Sequence, residues 1–155
     1  MAIVKDIFIG TLIAGTAYVL FQKKYNNWKS TITKLRALPT GFRNLKVESS
    51  IIKFNIDVTI VNPTNEDFKP DGVIAVLQKV NVKDTLGNAI ASVNVNRSYI
   101  IIPAKSKIVM KDLPVEVPII KNLLNWKNLI AIKSINDIKL ESVITVLGKE
   151  YLITN

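Results

Sequence analysis

Ile52-Lys53-Phe54-Asn55-Ile56-Asp57-Val58-Thr59-Ile60 (residues 52–60) is the stretch that decides the fold. Its apolar residues fall on every second position, with Lys53, Asn55, Asp57 and Thr59 between them. A two-residue period describes a strand with one buried and one wet face. Asn62-Pro63-Thr64-Asn65 ends it, because Pro63 has no N–H for a ladder and Asn suits turns.

Further strands lie downstream. Lys69-Pro70-Asp71-Gly72 reads as a turn, followed by Ile74, Val76, Val80 and Val82. Asp84-Thr85-Leu86-Gly87-Asn88 turns the chain into Ile90, Val93 and Val95, and Ile100-Ile101-Ile102 leads to Pro103. In Lys107–Val117 the apolar parity changes, from Ile108 and Met110 to Leu113, Val115 and Val117. A ladder tolerates that change only where it is interrupted, so a bulge is expected near Lys111-Asp112. Ile119, Leu123, Leu124 and Ile130 give a helical stripe, and Ile138–Val146 and Tyr151–Ile153 flank the turn at Gly148. Seven or so short strands with frequent turns predict a mainly β domain, an antiparallel β-sandwich with one short helix. Its expected core includes Phe54, Ile56, Val58, Val76, Ile108, Val115 and Leu140.

Upstream the pattern is different. Residues 7–22 carry no charge and are followed at once by Lys23-Lys24. Sixteen helical residues span only ~24 Å, and Met1–Val4 complete a bilayer crossing if Lys5 and Asp6 pair or snorkel. The reading placed first is a single-pass transmembrane helix. A signal peptide lacks its Ala-x-Ala site here, and a helix buried against protein is the third reading. Small residues at Gly10, Thr11, Ala14 and Gly15 suit close helix packing, though they are common in membrane helices anyway. Tyr25, Trp28, Ile32 and Leu35 then recur at helical spacing. Tyr25 and Trp28, with Lys23, Lys24, Lys29 and Lys34, form the expected membrane-interface set. The same stripe could instead pack on the domain. Pro39-Thr40-Gly41 is expected to stop this helix. Three regions result: a 1–22 anchor, a 23–42 basic amphipathic juxtamembrane helix or linker, and a 43–155 sandwich.

Charge sharpens this division. The 155 residues carry a net +9. Residues 1–43 hold seven Lys/Arg against Asp6 alone, a net +6, leaving +3 for the remainder. The basic excess sits where anionic head groups would lie, and the positive-inside rule puts the C-terminal domain on the cytoplasmic or particle-interior side. Nucleic acid ranks lower as a partner, since no groove-reading helix or aromatic-studded sheet accompanies the charge.

The ordered pieces resemble the late-embryogenesis-abundant type 2 family, which overlaps the water-stress (WHy) domain. Phe54–Pro63 looks like that family's strand with Asn-Pro ending. Ile90-Ala91-Ser92 after a Gly-Asn turn, Ile102-Pro103-Ala104-Lys105-Ser106, and a Val-rich strand ending Pro114-Val115-Glu116-Val117-Pro118 follow in order. The resemblance covers roughly 44–154. It implies an immunoglobulin-like sandwich without catalysis, often behind a membrane anchor.

The chain has no Cys and no His. Thiolate chemistry is thereby absent, as are the commonest general base and zinc ligand. Glu66-Asp67 and Asp71 lie in a turn and lack calcium-loop spacing, and strand parity separates Ser50 from Lys53. No enzyme, cofactor, metal or small-molecule substrate is expected. The function expected first is a membrane-anchored structural or interaction module in a larger assembly, such as a membrane-containing or tailed phage virion. A bacterial or archaeal envelope or stress-response protein is the alternative, and a lipid-binding carrier the third. The expected attachment surface is the edge strand bearing Lys107, Val109 and Lys111, toward protein partners that include a second copy.

Overall fold

A computed structural model describes residues 22, 27–70, 72–119, 132 and 134–155. Within them the protein is mainly β, with two antiparallel sheets. The strands are β1 (Arg36–Glu48), β2 (Ile51–Val61), β3 (Ala75–Asp84), β4 (Ala89–Ser98), β5 (Lys107–Pro118), β6 (Ile138–Val146) and β7 (Lys149–Thr154). One sheet has the order β1-β2-β5 and the other β4-β3-β6-β7. A 3-10 turn, Ile135–Asp137, precedes β6, and Ser134 and Asp137 cap it reciprocally.

The decisive stretch behaves as its period requires. Phe54, Ile56, Val58 and Ile60 are buried, while Lys53, Asn55 and Asp57 are only partly covered. They meet Leu77, Val80, Leu140 and Ile144 of the opposite sheet in one apolar core. Segments 62–70 and 99–106 run beside one another, joined by a bridge between Phe68 and Ile102. Phe68 and Ile102 are wholly buried.

Four expectations about local structure need correcting. Pro39-Thr40-Gly41 does not end a helix; it lies inside β1, so the sandwich begins at Arg36 rather than 43. Proline is tolerated because β1 is the last strand of its sheet. Gly41 is required because a Cβ there would run into the Asp57 carboxylate. Val76 is not a core residue. Both ladders of β3 shift register between Leu77 and Lys79, so Ala75 and Leu77 face inward before this bulge and Val80 and Val82 after it. Ile108 is only partly buried, while Met110 beyond it is covered.

Trp28 provides the fourth correction. Residues 27–32 are helical, and their stripe packs onto the sandwich, with Trp28 4% and Ile32 1% exposed. The indole meets Tyr151 edge-on at 6.0 Å. Trp28 is therefore a core residue rather than a membrane-interface residue. Lys29 and Lys34 are exposed. Lys23, Lys24 and Tyr25 lie outside the described residues, as do residues 1–21 of the anchor and the apolar stripe from Leu123 to Ile130. Among the described residues no helix is long and apolar enough to cross a membrane.

Candidate functional site

Backbone register decides which groups of β5 are free. Asn62 N–H donates to Ser106 O at 2.9 Å, which makes 62 and 106 a hydrogen-bonded pair. Such pairs alternate with non-bonded ones along an antiparallel ladder. Ile60/Ile108 is then bonded, whereas Val61/Lys107 and Thr59/Val109 are not. The N–H and C=O groups of Lys107 and Val109 consequently point away from β2. β5 is the last strand of its sheet, so no described strand receives them. Lys107, Val109 and Lys111 are all exposed, Val109 at 40%.

Beyond the bulge the same logic closes the edge. Ile119 N–H donates to Ser50 O at 2.8 Å, so Val117, Val115 and Leu113 bond to β2 and the outward positions are Pro118, Glu116 and Pro114. Two of the three have no N–H to offer. Prolines at outward edge positions cost no internal ladder bond and block an incoming strand. The open part of the edge is thus short, from Lys107 to the bulge.

The bulge lies where the parity change put it. Ile56 pairs with Leu113 and Val58 with Met110, leaving Lys111 and Asp112 opposite Asp57 alone. Asp112 has φ 56°. Its N–H donates to Asp57 Oδ1 at 2.8 Å. Arg43 closes the cluster, its Nη2 donating to Asp57 Oδ1 and its Nε to Asp112 Oδ1 at 2.7 Å. The Arg43 guanidinium, helped by the Asp112 N–H, holds the Asp57 carboxyl below the usual range, and Arg43 is itself raised. These groups fix the bulge and, with it, the side chains of β5 that follow.

The opposite sheet has a second polar patch. Lys83 Nζ lies 2.7 Å from Glu141 Oε2 and Asn81 Nδ2 donates to Oε1 at 2.9 Å. Lys83 first, then Asn81, holds the Glu141 carboxyl low. Both Asp57 and Glu141 have folded pKa values below their unfolded ones, so their contribution is full above about pH 5 and is lost as pH falls through the depressed values. Thermal midpoints should fall from pH 5 to pH 3, and Asp57→Asn should make that fall shallower. Parallel curves for the variant and the parent would show that the Asp57 cluster plays no part in acid stability.

Two concave surfaces adjoin the connections between the sheets. One, a cleft of about 840 Å³, gathers Lys34, Arg36 and Lys105 with Thr64 and Asn65. Lys105 Nζ donates to Pro63 O at 2.7 Å. Lys105 is remote in sequence from Lys34 and Arg36, so no local pattern marks their meeting. The other, about 350 Å³, is bordered by Ile74, Tyr99 and Ile101, all three substantially exposed. Among the described residues no three His, Cys, Asp or Glu side chains form a metal-binding group.

No protein-family model matches the sequence, and no curated protein matches it either. Among solved structures, a protein from Archaeoglobus fulgidus aligns over 78% of this chain and 88% of its own, with TM-score 0.38 and 12% identity. A β-glucuronidase from glycoside hydrolase family 2 aligns over 77% of this chain, with TM-score 0.38 and 15% identity. The alignment spans 10% of that enzyme. Likenesses of this size carry no argument about what the chain does.

Proposed function

We propose that this protein is a non-catalytic interaction module held at a membrane by residues 1–22, with its sandwich offering the β5 edge to a protein partner. The observation that carries the reading is that edge: Lys107 and Val109 direct backbone groups outward from an exposed strand, and no described strand shares them. An edge of this kind recruits another chain by adding a strand. The finer architecture in this reading is the immunoglobulin-like sandwich of the late-embryogenesis-abundant type 2 family. The role of Asn62 supports it: the Asn of the Asn-Pro ending ties two connections together through its buried amide. The basic cleft at Lys34, Arg36 and Lys105 lies close to the helix that leads in from the anchor, which supports attachment at an anionic surface.

The assembly in view is a membrane-bounded one, such as a virion, with the sandwich on the cytoplasmic or interior side. Fractionation of the full-length protein tests the anchor. It should remain with membranes or particles after carbonate washing. Release of the whole protein into the soluble fraction, without detergent or partner, would contradict the anchor and leave the edge to be judged by itself.

A further inference from the structure

We propose that the open segment of the β5 edge binds a short, acidic, extended segment of another protein rather than a second copy of this chain. The proposal deepens the interaction reading above by naming the partner's chemistry. Its limits come from the edge itself. Among the described residues the outward backbone groups at Lys107 and Val109 meet no other strand, the bulge at Lys111-Asp112 ends the regular ladder, and Pro114 and Pro118 occupy outward positions beyond it. An added strand therefore has about five residues in which to pair, from Lys107 to Lys111.

Side-chain parity then specifies the occupant. Lys107, Val109 and Lys111 are exposed, whereas Met110 faces the core and Ile108 is partly buried against it. Residues directly opposite on neighbouring strands share a face and interact, favourably for opposite charges and unfavourably for like ones. The complementary strand carries Asp or Glu opposite Lys107 and Lys111, a β-branched residue opposite Val109, and apolar residues at the two positions between. Self-pairing has the reverse character. Two antiparallel copies centred on Val109 place each Lys107 against the other copy's Lys111. Among the described residues neither lysine forms an ion pair with a carboxylate within 4 Å, and Lys111 acts on Asp57 only through space. The positive pair thus selects against self-association and for an acidic guest.

The test uses the full chain in neutral detergent and a capped, fluorescent seven-residue peptide, Gly-Glu-Ile-Val-Ile-Glu-Gly, against its counterpart with Lys in place of both Glu. Anisotropy titration should give saturable binding of the Glu peptide, weakened by salt. The Lys peptide should bind roughly tenfold more weakly or worse, since two attractive pairs become repulsive. Lys107→Glu with Lys111→Glu should reverse the preference while leaving the backbone alone. Val109→Pro, which removes one outward N–H, should abolish binding of either peptide at an unchanged circular dichroism spectrum. If that variant unfolds, the charge reversal decides. Equal binding of both peptides, a preference unaltered by the charge reversal, no saturable binding, or a dimer built through β5 would each overturn the proposal. None of these outcomes bears on whether residues 1–22 anchor the chain.

Discussion

Asn62→Asp should destabilise the fold by about 3–5 kcal/mol at pH 7, the range for an uncompensated buried charge. Asn62 is fully buried. Its Nδ2 donates to Glu66 O at 2.7 Å, Ile102 O at 3.0 Å and Pro103 O at 3.2 Å. Its Oδ1 accepts from Thr64 N at 3.1 Å and from Thr64 Oγ1 at 2.7 Å. One amide thus holds the loop after β2 to the segment before β5. Aspartate keeps the acceptor but turns a carboxylate oxygen toward three carbonyls. Burial raises the pKa of such a group, so the variant should regain stability as pH falls and protonation restores a donor. Asn62→Ala leaves those carbonyls with other partners, since Phe68, Ser106 and Thr64 also donate to them. It should cost less, about 1–3 kcal/mol. Urea titrations of the two variants at pH 7 and pH 5 distinguish them. An Asp variant no worse than the Ala variant, with no pH response, would show that Asn62 is not a donor hub.

Phe54→Ala should cost about 3–5 kcal/mol, a large share of the ~5–15 kcal/mol that usually separates folded from unfolded chains. Phe54 is 2% exposed, and its ring lies 5.1 Å from that of Phe42. Its neighbours are strand residues held by ladders on both sides, so the vacated space cannot close by a loop moving in. Phe54→Leu keeps most of the volume and should cost clearly less. The midpoint in urea should shift with little change in its slope. A shift under about 1 kcal/mol for Phe54→Ala would mean that this face of β2 is not packed as described.

What the sequence reveals depends on whether the cause is local. β2 is legible because alternation alone sorts its side chains. The bulge at Lys111-Asp112 is legible for the same reason: the apolar parity changes across it. β1 is hidden because Pro39 and Gly41 carry a local meaning, turn and helix stop, that its edge position and the Asp57 contact override. The bulge at Gln78 is hidden because Val76, Val80 and Val82 share one parity in the sequence, while the buried residue before the bulge is Leu77. The helical stripe of Trp28 and Ile32 is visible, but not which surface covers it, lipid or protein. The basic cleft is illegible in principle, since it joins residues from 34 to 105 through the fold alone.

β5 ends its sheet and ladder alternation sets which of its backbone groups point outward, so amide exchange along β5 tests the central claim most directly. In the full-length protein the amides of Ile108, Met110, Leu113, Val115 and Val117 should be protected together, as partners of β2. Those of Lys107 and Val109 should exchange orders of magnitude faster, and become protected when the acidic peptide is added. Strong protection of Val109 in the free protein, with Ile108 exchanging quickly, would reverse the register and remove the free edge.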